Sequence, residues 1–217
     1  MSRKLLIPRI PVPEAAVGVP RALDEACVPW SEIGCQPWAS QYPYKPRAQF
    51  RLAHSGQSLH LHFRVLEEWV AALAPQDNGR VWEDSCVELF LQPEGEGLYY
   101  NIECNCACAL LVGAGQGRAD RLLAPLELLR TVSRWSSLGR GVLPLRQPEG
   151  VWELALSVPA SLLFLHPLGD LSGLSMRGNV YKCGDRLPKP HFLTWSPISL
   201  AKPDFHCPQF FAPMLFA

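Results

Sequence analysis

Two glutamates, an asparagine and a handful of aromatic residues are the side chains of this sequence best suited to hold a polyhydroxylated ligand. Glu88 lies in the stretch Val81–Phe90, VWEDSCVELF, and Asn101 and Glu103 lie in the next alternating run, Leu98–Ala109. A sugar needs donors and acceptors for its hydroxyls and a flat apolar plate for its C–H face. Trp82, Tyr99, Trp195 and Phe205 are the candidate plates. His60, His62, Arg64, Glu88, Asn101 and Glu103 are the candidate hydroxyl partners, provided that three strands at 58–65, 86–92 and 98–105 lie side by side. Taken singly, each of these polar residues is ordinary on the solvated face of an antiparallel sheet. Glu88 and Glu103 also suit the paired carboxylates of a glycosidase, whose separation sets the stereochemical outcome. The plainer reading is a solvated or salt-bridged pair, for instance with Arg64.

Other chemistry is less well supported. Cys104, Cys106 and Cys108 form CxCxC, which on a strand places all three thiols on the face of Ile102. Structural zinc sites use CxxC-type knuckles with a second pair elsewhere, so core packing is the better reading. Cys183, His191 and His206 make a looser metal grouping. Met176 or a histidine would be the axial ligand if the chain bound haem. GxGxG at 113–117 has no βαβ unit around it, and GxSxG, P-loop and HExxH motifs are missing. Neither a nucleophile–base pair nor a metal or other cofactor is expected, and a binding role is expected over an enzymatic one.

The elements that must position these residues read as strands. In Ser58–Val65, Leu59, Leu61, Phe63 and Val65 alternate with His60, His62 and Arg64, a strict period of 2. In the Glu88 run, Val87, Leu89 and Leu91 face one way and Cys86, Glu88 and Phe90 the other. Tyr100, Ile102 and Cys104 oppose Tyr99, Asn101 and Glu103 in the same manner. Ala48–Ala53, Thr131–Trp135, Val151–Val158, Gly178–Cys183 and Phe192–Ile198 complete about eight strands. Pro93–Gly97 is a hairpin-like connection and Gly113–Gly117 a flexible turn. Short helical pieces are expected at 69–74, 122–129 and 159–165. Residues 1–47 are Pro-rich and read as an irregular segment packed on the rest. This pattern predicts an all-β, antiparallel sandwich or barrel in one domain spanning 1–217.

Bulk properties narrow the partners. Lys plus Arg equals Asp plus Glu at 20 each, and no basic stripe or tract is present, so nucleic acid is not expected as a partner. No stretch approaches the roughly 20 apolar residues of a membrane span. The apolar run Leu5–Ile7 is too short for a signal-peptide core, which favours a cytoplasmic over a secreted location. The eight cysteines are expected as free, mostly buried thiols in a reducing compartment. Nothing in the pattern indicates an oligomeric state.

The chain resembles the family 9 carbohydrate-binding modules, and especially the stand-alone family-9-like proteins. Val81–Phe90 resembles the family signature W-E-x-x-x-V-E-x-F, with Trp82, Glu83, Val87, Glu88 and Phe90 in register. Gly178–Asp185 (GNVYKCGD), His191–Ile198 (HFLTWSPI) and Pro203–Phe211 (PDFHCPQFF) resemble the closing strands. The resemblance runs from about residue 48 to the end. It implies an immunoglobulin-like β-sandwich related to DOMON domains, and a carbohydrate ligand held at a mono- or oligosaccharide end between two aromatics. On that reading Trp82 is the first aromatic and Glu88 a hydroxyl-binding acid. Phe205 falls where the second aromatic is usually Trp, and Asn101 near a position that is usually Arg. Tyr181 and Lys202 each fall near a position that is usually an amide. The binding set expected is therefore Trp82, Glu88, Asn101, Glu103, Tyr181, Lys182, Trp195, Lys202 and Phe205.

Overall fold

Period-2 alternation makes two antiparallel sheets that bury their apolar faces against each other. The computed structural model describes residues 3–95 and 97–217. The first sheet runs in the order Leu5–Ile7, Ala212–Phe216, Ser175–Cys183, Cys86–Pro93, Tyr99–Asn105, Leu110–Gly115 and Leu122–Leu123. Phe192–Thr194 pairs with Tyr181–Cys183 of the same sheet. The Leu5–Ile7 and Ala212–Phe216 strands pair in parallel. The second sheet runs Ser133–Ser136, Trp152–Pro159, Ser58–Leu66, Arg47–His54 and Ser31–Glu32. Val87, Leu89, Ile102 and Val180 of the first sheet share one core with Phe50, Leu61, Phe63 and Leu154 of the second. The result is an all-β sandwich of immunoglobulin-like kind, with a few short helices such as Val19–Glu25 and Leu126–Leu129. No helix among the described residues is long and apolar enough to cross a membrane.

One expectation about neighbours fails. Ser58–Leu66 lies in the second sheet, between Arg47–His54 and Trp152–Pro159, not beside the Glu88 strand. His60, His62 and Arg64 are therefore remote from Glu88 in sheet order. They bond Ser55, Ser157, Arg51 and Glu153 instead. Alternation fixes which residues share a face of one strand, but it carries no information about which sheet the strand joins.

Several elements differ from their sequence reading. Val70–Ala72 is a strand paired with Leu143–Arg146, where a helical turn was expected. The run Leu98–Ala109 is a strand only to Asn105. There the Asn105 amide oxygen accepts the backbone N–H groups of Ala107 and Ala109, and Cys108 takes a positive φ of 72°. That local side-chain bond turns the chain and removes Cys106 and Cys108 from the strand. The chain then returns as Leu110–Gly115, so Gly113 and Gly115 are strand residues and not a flexible turn. Leu122–Leu129 divides into a short strand and, after Pro125, a helical turn. Of the hairpin at 93–97, Gly95 has a positive φ and Glu96 lies outside the described residues. The segment before residue 47 holds a strand at Leu5–Ile7, the helix Val19–Glu25 and a strand at Ser31–Glu32. Every cysteine is a free thiol, and all but Cys27 and Cys35 are buried.

Candidate functional site

The outward face of the first sheet carries the site. Register sets three rows across it. Cys183 faces Cys86 and Cys86 faces Asn105. Tyr181, Glu88, Glu103 and Leu111 form the next row, and Asn179, Phe90, Asn101 and Gly113 the third. At one end of this face the aromatics Trp38, Phe90, Tyr99, Tyr181 and Phe211 pack together and close it off. Beside them a cavity of about 980 Å³ remains, within the 300–1,000 Å³ range usual for ligand sites. Glu88, Glu103, Asn101 and Cys183 line it, and so do Trp82, Tyr42, Phe192, Phe205, Leu111 and Leu123. Arg118, Arg121, Asp185, Lys202, Asp204 and His206 add charged and polar groups.

The two acids that follow Trp82 hold it in place. Asp84 accepts the N–H groups of Leu73 and Ala74 at 2.8 and 3.0 Å, and the Asn105 amide at 3.0 Å. Glu83 pairs with Arg80 at 2.6 Å and with Arg186 at 3.2 Å. The Arg186 and Asp185 backbone N–H groups donate to the carbonyls of Glu83 and Trp82. The Trp82 turn is thereby tied to the turn that follows Cys183. Phe205 is held from beneath: its ring stacks on Tyr181 with centroids 4.1 Å apart and planes 6° from parallel. The Tyr181 hydroxyl donates to the Phe205 carbonyl at 3.1 Å.

The polar groups lie in a network that is only partly satisfied. Asn101 Nδ2 donates to Glu103 Oε1 at 2.7 Å, and Asn101 Oδ1 accepts from Arg121 Nε at 2.8 Å. Arg121 also donates to the carbonyls of Tyr99, Gly113 and Gly117 and lies 4.4 Å over the Tyr99 ring. Gly113 leaves room for this pair, because a Cβ at that position would sit 2.8 Å from Asn101 Oδ1. Glu103 Oε2 is buried and has no hydrogen-bond partner among the described residues. Burial pushes the Glu103 carboxyl up to about 7, while the Asn101 bond opposes the shift. Burial, and then the neighbouring Glu103, raise Glu88 well above the ordinary carboxylate range. Burial likewise lifts Asp185 to about 6. His206 accepts or donates to the Tyr99 hydroxyl at 2.8 Å, and its burial depresses its basicity to about 3, so it is neutral.

The structure brings together Trp82, Glu88, Asn101, Glu103, Lys202 and Phe205. Tyr181 lies under Phe205 and does not line the cavity. Lys182 points to the opposite face, fully buried, with Nζ 2.9 Å from Glu67 Oε2 and 2.8 Å from His191 Nε2. Trp195 is buried between the sheets, edge-on to Phe50. Cys183, His191 and His206 are not gathered into a cluster. Met176 is a core residue beside a void of about 10 Å³, far too small for a haem. Arg121, Arg118 and Asp185 were missed. The two arginines reach the site from the loop after Leu110–Gly115, a region whose glycines gave no sign of a neighbouring pocket.

Comparison with known proteins follows the same lines. The family model described as carbohydrate-binding family 9 matches residues 17–216. No curated protein matches the chain significantly. A crystal structure from Bacteroides uniformis, described only provisionally as a carbohydrate-binding protein, is 44% identical with a TM-score of 0.96, and each chain is covered over 100% of its length. A family 9 module from Caldicellulosiruptor kristjanssonii in complex with glucose has a TM-score of 0.63 at 12% identity, covering 99% of this chain and 96% of that one. The same organism's module in complex with cellotriose gives 0.62 at 10% identity, covering 99% and 93%. At those identities the two modules share the fold.

Proposed function

The chain belongs to carbohydrate-binding family 9, and on that premise we propose that its pocket holds the end of a mono- or oligosaccharide without transforming it. The observation that carries this reading is the pairing of a buried polar row, Glu88–Glu103 with Asn101, with two braced aromatics, Trp82 and Phe205, around one cavity. The aromatics would cover the C–H face of a ring. The carboxyl groups and the Asn101–Arg121 pair would take its hydroxyls. Burial of these polar groups makes the site selective, because a ligand that leaves one of them unpaired loses the desolvation cost of that group. Glu103 Oε2 is the acceptor most in need of a ligand hydroxyl.

A glycosidase reading requires an acid and a second carboxylate that flank the scissile bond. Glu88 and Glu103 project from adjacent strands in direct register, on the same side of any bound ring, which supports binding over hydrolysis. A glycan array probed with the purified chain tests the proposal. Selective retention of a few glycans, lost in Trp82→Ala, is the expected result. Retention of none, together with turnover of aryl glycosides that disappears in Glu88→Gln, would replace it with the enzymatic reading.

A further inference from the structure

Two thiols and a carboxyl meet beneath the pocket in a way that carbohydrate binding does not require. Cys86 and Cys183 are direct cross-strand partners, and Glu88 follows Cys86 on the same face. The two sulfurs and a Glu88 carboxylate oxygen all lie within 4.8 Å of one another. Cys86, Glu88 and Cys183 are 0%, 2% and 1% exposed. Cys183 Sγ is 3.1 Å from Glu88 Oε1. Tetrahedral zinc, with Zn–S near 2.3 Å and Zn–O near 2.0 Å, sets S···S at about 3.8 Å and S···O at about 3.5 Å. Adjustments on the order of an ångström bring these three atoms to those separations.

A second observation points the same way. Glu103 stands opposite Glu88, is 4% exposed, lines the cavity and has no partner for Oε2 among the described residues. Among the described residues no lysine or arginine forms an ion pair with Glu88 or Glu103. Arg118 and Arg121 line the same cavity but neither pairs with these carboxyls, and burial favours the uncharged acids and thiols. A bound divalent cation would displace the protons of both thiols and of Glu88, and balance the thiolate and carboxylate charge it creates.

We propose that Cys86, Cys183 and Glu88 form a site for a thiophilic divalent cation of the zinc class, with its fourth position open to the pocket. Two sulfur donors favour such a metal over calcium or magnesium, which take oxygen ligands. Three protein ligands and an open position form an exchangeable site, able to take a water or a ligand hydroxyl. The readout needs no sugar, so the site stands or falls separately from the carbohydrate reading.

The test is a titration of the reduced, chelator-treated full chain with Cd²⁺, followed by displacement with Zn²⁺. One equivalent of Cd²⁺ is expected to produce sulfur-to-metal charge-transfer absorption that one equivalent of Zn²⁺ removes. Cys27→Ser, at an exposed thiol, is expected to keep the band, and Cys86→Ser and Cys183→Ser to lose it. Glu88→Gln is expected to keep both thiolates and weaken the affinity at least tenfold. Thermal melts establish that each variant is folded, and Glu88→Gln decides the matter if the serine variants are not. Absence of the band in the wild-type chain, its persistence in folded Cys86→Ser and Cys183→Ser, or unchanged affinity in Glu88→Gln would each overturn the proposal.

Discussion

Removing the Phe205 ring perturbs the proposed plate while leaving the carboxyl groups of the site intact. One face of the ring is taken up by Tyr181, 4.1 Å away and nearly parallel, and the residue lines the cavity with what remains. An aromatic side chain can bury about 150–250 Å², so one ring face is roughly 50–60 Å². At about 25 cal/mol per Å² a sugar covering that face gains about 1.4 kcal/mol, a factor of ten in Kd. Phe205→Ala should therefore bind about tenfold more weakly. It should also lose about 1–2 kcal/mol of stability, because the stack with Tyr181 goes too. Phe205→Trp offers a larger plate and should bind as tightly as wild type or more so. Isothermal titration calorimetry with the best ligand gives the affinities, and urea denaturation gives the stabilities. Affinity within twofold of wild type in a folded Phe205→Ala protein would refute the stacking role.

Three further perturbations probe the frame around the site. Gly178→Ala would place a Cβ 2.4 Å from the Phe90 carbonyl oxygen and 2.8 Å from the Met214 sulfur, so backbone must move; urea unfolding should show a loss of more than about 2 kcal/mol. Lys182→Met leaves Glu67 buried and unpaired and should cost about 3–5 kcal/mol, with Lys182→Met/Glu67→Gln recovering much of it and ligand affinity unchanged in either folded variant. His60 is held neutral by burial, with its pKa lowered to about 4 from 6.5. Its contribution to stability is full above pH 6.5, where the unfolded chain is also neutral, and is lost as the pH falls toward 4. Wild type should lose up to about 3 kcal/mol more than His60→Gln across that window, and parallel stability curves for the two proteins would contradict this assignment.

Much of the fold was legible because alternation is local. The inward set Val87, Leu89, Ile102 and the outward set Glu88, Asn101, Glu103 both follow from parity within a strand. Sheet membership was not legible, since the hydrophobic pattern of Ser58–Leu66 suits either sheet, and so His60, His62 and Arg64 were placed with the wrong neighbours. Parity also separates Tyr181 and Cys183 from Lys182 once the register is known. Tyr181 faces Glu88 across the strands, so Lys182 must turn inward to Glu67. The cross-strand meeting of Cys86 and Cys183 depends on long-range register, which cysteine spacing along the chain does not encode. Arg121 escaped notice because its role rests on Gly113 leaving room for Asn101, a requirement visible only when the strands are paired.

The most direct measurement of the central claim is a titration of the folded chain with glucose and cellotriose, read by calorimetry and by tryptophan fluorescence. Saturable one-to-one binding to at least one of them, with a fluorescence change that vanishes in Trp82→Ala and an affinity that falls in Glu103→Gln, is the predicted result. Silence toward both sugars and toward a broad glycan panel, or binding that Trp82→Ala and Glu103→Gln leave unchanged, would contradict it.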